Sequence, residues 1–114
     1  MKKLGFLFFL ALFCTSSAAF AECAAVGQCE GVTIDRLYLQ NNIIYIGTSG
    51  NEQLLKPFCD PGGGNYIKLL DTHPLRDQIY ALLLTSHKDR SPISIKMNIP
   101  STGCGVEYVV SDAN

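Results

Sequence analysis

The chain has 114 residues, with nine Lys and Arg against ten Asp and Glu, and five cysteines. No run of like charges occurs, which excludes a polyelectrolyte tail and argues against a nucleic-acid or anionic-membrane surface as partner. The length leaves room for one small domain and no more.

Residues 1–21 read as a secretory signal peptide. Lys2 and Lys3 give a positive start, Leu4 to Cys14 form an apolar run, and Ala19-Phe20-Ala21 is a small-x-small cleavage site. The run is too short to cross a bilayer, and nothing later is long or apolar enough to anchor the chain, so no membrane anchor is expected. Phe13, bulky and directly before Cys14, argues against lipidation there. The expected mature domain, 22–114, holds seven basic against ten acidic residues, a net charge of −3. It is expected to be exported, either periplasmic or secreted.

Four cysteines remain after the leader: Cys23, Cys29, Cys59 and Cys104. An even count in an oxidising compartment favours two disulfides, and four cysteines allow three pairings. Cys23–Cys29 with Cys59–Cys104 is the favoured set. The first pair sits in one short segment with little else to hold it. The second closes a loop of about 45 residues, worth roughly 4 kcal/mol in the chain-entropy model. No Cys-x-x-Cys or close Cys/His pairing occurs, so no metal and no cofactor are expected.

In chain order, 32–39 is rich in β-branched and apolar residues and predicts a first strand. Gln40-Asn41-Asn42 is a turn, because Asn tolerates left-handed backbone angles, and 43–46 follows as the second arm of a hairpin. Residues 54–59 suggest a short strand or irregular edge, with Pro57 excluding a central position. Asp60-Pro61-Gly62-Gly63-Gly64-Asn65 is the strongest breaker. It is not a phosphate-cradling loop, since no Gly-Lys-Ser/Thr follows and 66–70 reads as a strand.

Asp71 and Thr72 stand where a helix N-cap is expected, and Pro74 fits a first turn. Over 75–88 the apolar residues Leu75, Ile79, Leu82 and Leu83 fall at near-helical spacing, while Tyr80, Ala81 and Leu84 fill the other side. A helix apolar nearly all round predicts burial on more than one face, and self-association or a covering loop would supply the second. Ser91-Pro92 ends it. Ile93, Ile95, Met97 and Ile99 alternate with Ser94, Lys96 and Asn98, a half-buried strand. After a turn region at 100–105 comes a last strand, 106–110. The predicted class is mainly β with one helix, in the order strand, strand, strand, helix, strand, strand.

Little in this chain points to catalysis. His73 and His87 sit at opposite ends of the predicted helix, and no nucleophile motif accompanies either. Asp71, Asp77 and Asp89 suit the helix ends and its solvated face. The chain is expected not to be an enzyme; a small hydrolase would need one histidine in a cleft beside a Ser or Asp. Binding remains, and Tyr38, Tyr45, Tyr66, Tyr80 and Tyr108 are candidates for flat amphipathic surface.

Glu30-Gly31-Val32-Thr33-Ile34, Cys59, the segment from Asp77 to Leu84, Pro92-Ile93-Ser94-Ile95 and Cys104 together resemble bacterial toxin B subunits. The resemblance is to the subtilase cytotoxin, typhoid toxin and pertussis toxin type. It covers about Glu30 to Val110. It implies a five-stranded OB-like barrel, a ring (typically a pentamer) assembled through helix 75–88, and binding of cell-surface glycans. Where that family places a small hydroxyl residue and a strand tyrosine beside its glycan, this chain has Glu30 and Met97. No ligand-binding residue is carried over. The alternative, from a different class, is a monomeric periplasmic protein that inhibits or supports another envelope protein.

Overall fold

The computed structural model describes residues 22–24, 27–99 and 103–111, in which seven strands form two antiparallel sheets. The leader reading at 1–21 and the polar tail at 112–114 lie outside the described residues. One sheet has the order β1-β2-β6-β7, from strands Glu22–Ala24, Gln28–Val32, Ile93–Met97 and Val106–Ser111. The other has the order β3-β4-β5, from Ile34–Gln40, Ile43–Thr48 and Ile67–Leu69.

The sheets are coupled at two places. Thr33 alone separates β2 from β3, so one bent stretch of chain serves both sheets. Its amide takes Ser49 Oγ as acceptor and its carbonyl receives the Ser49 N–H, each at 3.0 Å. Gly31, at φ +61°, sits at the register shift in the β2–β6 ladder, a left-handed position that suits glycine in a bulge. On the far side a single parallel bridge joins Lys68 to Gly105, with the Lys68 N–H donating to the Cys104 carbonyl at 3.0 Å.

The mainly β class holds, but the expected five strands and single helix do not. Seven strands are described because two, β1 and most of β2, lie before the predicted first strand at 32–39: β1 is only three residues long, too short for a periodic signal, and β2 ends at Val32, with Thr33 parting it from β3. The two sheets do not merge into one closed barrel. A second helical segment also appears where a strand or irregular edge was expected. A 3₁₀ turn, Glu52–Leu55, runs into α1, Lys56–Cys59. Asn51 Oδ1 caps it by accepting the Gln53 N–H at 3.0 Å, and Pro57 falls in the first turn of α1, where a missing N–H costs nothing.

The hairpin turn is as the sequence predicts. Asn41 and Asn42 have φ of 52° and 63°, the left-handed pair that a two-residue loop between Gln40 and Ile43 requires. The predicted alternation holds over β6, turning Ile93, Ile95 and Met97 inward, and β4 shows the same pattern with Ile44 and Ile46. Ile99 lies beyond the end of β6 and is exposed.

The long helix α2, Arg76–Asp89, packs against β3 and β7. Its buried residues are Ile79, Leu83 and Ser86, one narrow stripe, while Tyr80, Leu82 and Leu84 are exposed. Burial on a second face therefore does not occur among the described residues. Neither Asp71 nor Thr72 caps the helix. The N-cap is Leu75, with no side-chain cap, and His73 Nδ1 accepts the Leu75 N–H at 3.0 Å instead. Arg90, left-handed at φ 55°, closes the other end.

Both favoured disulfides are present. Cys23 and Cys29 oppose each other in the β1–β2 ladder and are bonded, and Cys59 is bonded to Cys104 across 45 positions. All four lie in the core with the inward residues of both sheets.

Candidate ligand-binding surface

Strand alternation sets one face of β3-β4-β5 against the core and turns the other outward. The ladder pairs Arg36 with Gly47, Tyr38 with Tyr45, and Tyr45 with Lys68. These residues share the outer face, and Tyr66, two positions before Lys68, joins them. The Tyr38 and Tyr45 rings stack with centroids 4.8 Å apart and planes within 10°. Tyr66 meets both edge-on, at 5.3 Å and 6.2 Å. Gly47 makes the close approach possible: a Cβ there would stand 3.2 Å from Tyr66 Cε1.

Two cations border the rings. Arg36 Nη1 donates to the Tyr66 hydroxyl at 3.1 Å. Lys68 Nζ lies 5.8 Å from the Tyr45 ring centroid and donates to the carbonyls of Pro61, at 2.8 Å, and Gly103, at 3.3 Å. Partial burial pulls the Lys68 ammonium below its ordinary pKa, and Asp60 opposes that shift. The Tyr38 hydroxyl is pushed above its ordinary range by desolvation first and by the neighbouring Tyr66 and Tyr45 next, with Arg36 opposing.

A second feature lies where α2 meets the β3–β4 hairpin. A part-open cavity of about 250 Å³ is lined by Leu37, Tyr38, Leu39, Ile44, Arg76 and Tyr80. Arg76 Nη2 donates to the Asn42 carbonyl at 3.2 Å, while its Nε is buried with no hydrogen-bond partner.

Both histidines are bound to backbone. His73 Nδ1 accepts the Leu75 N–H, which leaves Nε2–H to donate to the Glu107 carbonyl at 2.9 Å. His87 Nδ1 donates to the Ile34 carbonyl at 2.9 Å, tying the end of α2 to the start of β3. Asp71, Asp77 and Asp89 are exposed. Among the described residues, no group of three or more His, Cys, Asp and Glu side chains comes together.

Of the five candidate tyrosines, the fold gathers Tyr38, Tyr45 and Tyr66, sets Tyr80 at the cavity, and leaves Tyr108 apart and exposed on β7. Glu30 is exposed and accepts from Gln28 Nε2 at 3.2 Å, whereas Met97 is fully buried and out of reach of any ligand. Arg36 and Arg76 join these sites without being among the candidates the sequence offers. The signal for Arg36 was its period-two spacing with Tyr38; Arg76 carried none. Compared with known proteins, the chain matches no family model, no curated sequence and no solved structure.

Proposed function

We propose that this chain is an exported, non-catalytic binding protein whose tyrosine face takes the ring of a glycan. The observation that carries this reading is the cluster of Tyr38, Tyr45 and Tyr66 on the outer face of one sheet. Such rings offer apolar faces to sugar C–H groups, with hydroxyls and the Arg36 guanidinium at the rim for polar contacts. The cluster is also rigid, because each ring is held by the others and Tyr66 by Arg36. Rigidity lowers the entropy cost of binding.

The two disulfides suit an oxidising compartment, and no described helix is long and apolar enough to cross a membrane. The bent β2–β3 stretch shared by both sheets and the Lys68–Gly105 bridge hold the tyrosine-bearing sheet against the other. A ring assembled through α2 would cover the exposed Leu82 and Leu84.

A glycan array probed with the oxidised mature protein tests the reading. Binding that falls in Tyr38→Ala and Tyr66→Ala supports it, and an array with no signal removes it. Native mass spectrometry tests assembly: a strict monomer at micromolar concentration ends the ring reading. The second reading, a monomer that inhibits or supports an envelope protein, draws on the exposed apolar residues Leu75, Leu82, Tyr108 and Val110. A single envelope protein captured by an array-silent protein favours it.

A further inference from the structure

We infer that the cavity between α2 and the β3–β4 hairpin binds a small organic monocarboxylate, its anionic group on Arg76 and its apolar body against Leu39, Ile44 and Tyr80. The cavity shares Tyr38 with the tyrosine face, but the inference does not depend on glycan binding.

Charge is the first argument. Among the described residues, Arg76 is the only charged one lining the cavity. Among the described residues it has no carboxylate within ion-pair distance, the ion pairs there being Arg90–Asp35 and Lys96–Glu107. Donor accounting is the second. A guanidinium carries five N–H groups in a fixed fork. One donates to the Asn42 carbonyl and the Nε–H is sealed from solvent, which leaves three Nη hydrogens that a ligand in the cavity could take.

Position is the third argument. Arg76 is the first residue of α2, at the positive end of the helix dipole, where a cation is disfavoured. Leu75, the N-cap, offers no side-chain acceptor. Asp77 is acidic but exposed, about 100° around the helix from Arg76, and does not line the cavity. A bound anion would answer both the dipole and the guanidinium, and a broken local rule of this kind is where function is expected.

The walls select the rest of the ligand. Leu39 is 65% exposed and Tyr80 38%, apolar surface left open among the described residues. A cavity of about 250 Å³ falls just under the roughly 300–1,000 Å³ of drug-sized ligand clefts, so the ligand is small. One guanidinium among apolar walls matches one carboxylate on a hydrocarbon body. The guanidinium fork suits a carboxylate or a phosphate alike, and the apolar walls favour the anion that carries a hydrocarbon body.

Amide-resolved NMR titration of the oxidised mature protein with hexanoate, and in parallel with 1-hexanol and inorganic phosphate, tests the assignment. Hexanoate is expected to shift the amides of Leu39, Ile44, Arg76 and Tyr80 saturably, with 1-hexanol and phosphate weaker by about tenfold or more. Arg76→Gln should weaken hexanoate about tenfold and leave 1-hexanol unchanged. Leu39→Ser, at a position too exposed to threaten folding, should weaken both. Equal binding of hexanoate and 1-hexanol, undiminished hexanoate binding in Arg76→Gln, shifts elsewhere, or no saturable binding would each overturn the inference.

Discussion

Tyr38 and Tyr45 face each other directly across the β3–β4 ladder, and their rings lie 4.8 Å apart, nearly parallel. A double-mutant cycle of Tyr38→Ala and Tyr45→Ala should return a coupling of about 1 kcal/mol by urea denaturation, beyond the area each ring buries. A coupling near zero would mean that the rings stack without stabilising each other.

The two disulfides should differ in weight. Replacing Cys59 and Cys104 together by Ala opens a loop spanning 45 positions and should cost about 4 kcal/mol. The Cys23–Cys29 pair spans six positions, and its removal should cost about 2 kcal/mol. Urea midpoints of the two double variants give the order, and a larger loss for the short loop would refute it.

Alkaline titration should separate Lys68 from Tyr38. The folded pKa of Lys68 lies below 10.5, so the unfolded chain holds more protons in the window between the two values. Lys68 therefore opposes folding at neutral pH, and that opposition fades as pH rises through the window. Tyr38 behaves in the opposite sense. Its folded pKa lies above 10.0, so its contribution is complete below 10.0 and is lost as pH rises through the folded value. Side-chain NMR should place the Lys68 midpoint below the free-lysine value and lower still in Asp60→Asn. Arg36→Gln should raise the Tyr38 midpoint further.

Gly50 and Gly63 make a paired steric prediction. A Cβ at Gly50 would stand 2.9 Å from the Cys23 backbone nitrogen and 3.0 Å from its sulfur, so Gly50→Ala should cost about 1–3 kcal/mol. At Gly63 a Cβ meets nothing within 4 Å, and Gly63→Ala should be neutral or stabilising by up to about 1 kcal/mol. Thermal melts of the two variants should move apart.

Much of this fold is written in local patterns. The alternation in β4 and β6, the paired asparagines of the hairpin and the near-helical spacing over α2 each follow from short-range physics. Pro57 misled, because the same residue that bars a central strand is welcome in the first turn of a helix. The helix also concealed its buried side. With Leu, Tyr and Ile nearly all round, only packing on β3 and β7 selects Ile79 and Leu83. The tyrosine cluster was half legible. Once a two-residue turn sets Gln40 opposite Ile43, counting back places Tyr38 opposite Tyr45, but Tyr66 arrives only through the β4–β5 register. Arg76 was not legible at all, since its isolation depends on which carboxylates the fold carries elsewhere.

The Cys59–Cys104 link encloses the exposed glycines at 62–64 and the whole of α2. A protease that clips this tip would sever the backbone without parting the pieces, and the nicked molecule would migrate as one species on a non-reducing gel. Only a thiol reductant would then release two fragments, so damage at this tip stays hidden for as long as the surroundings remain oxidising.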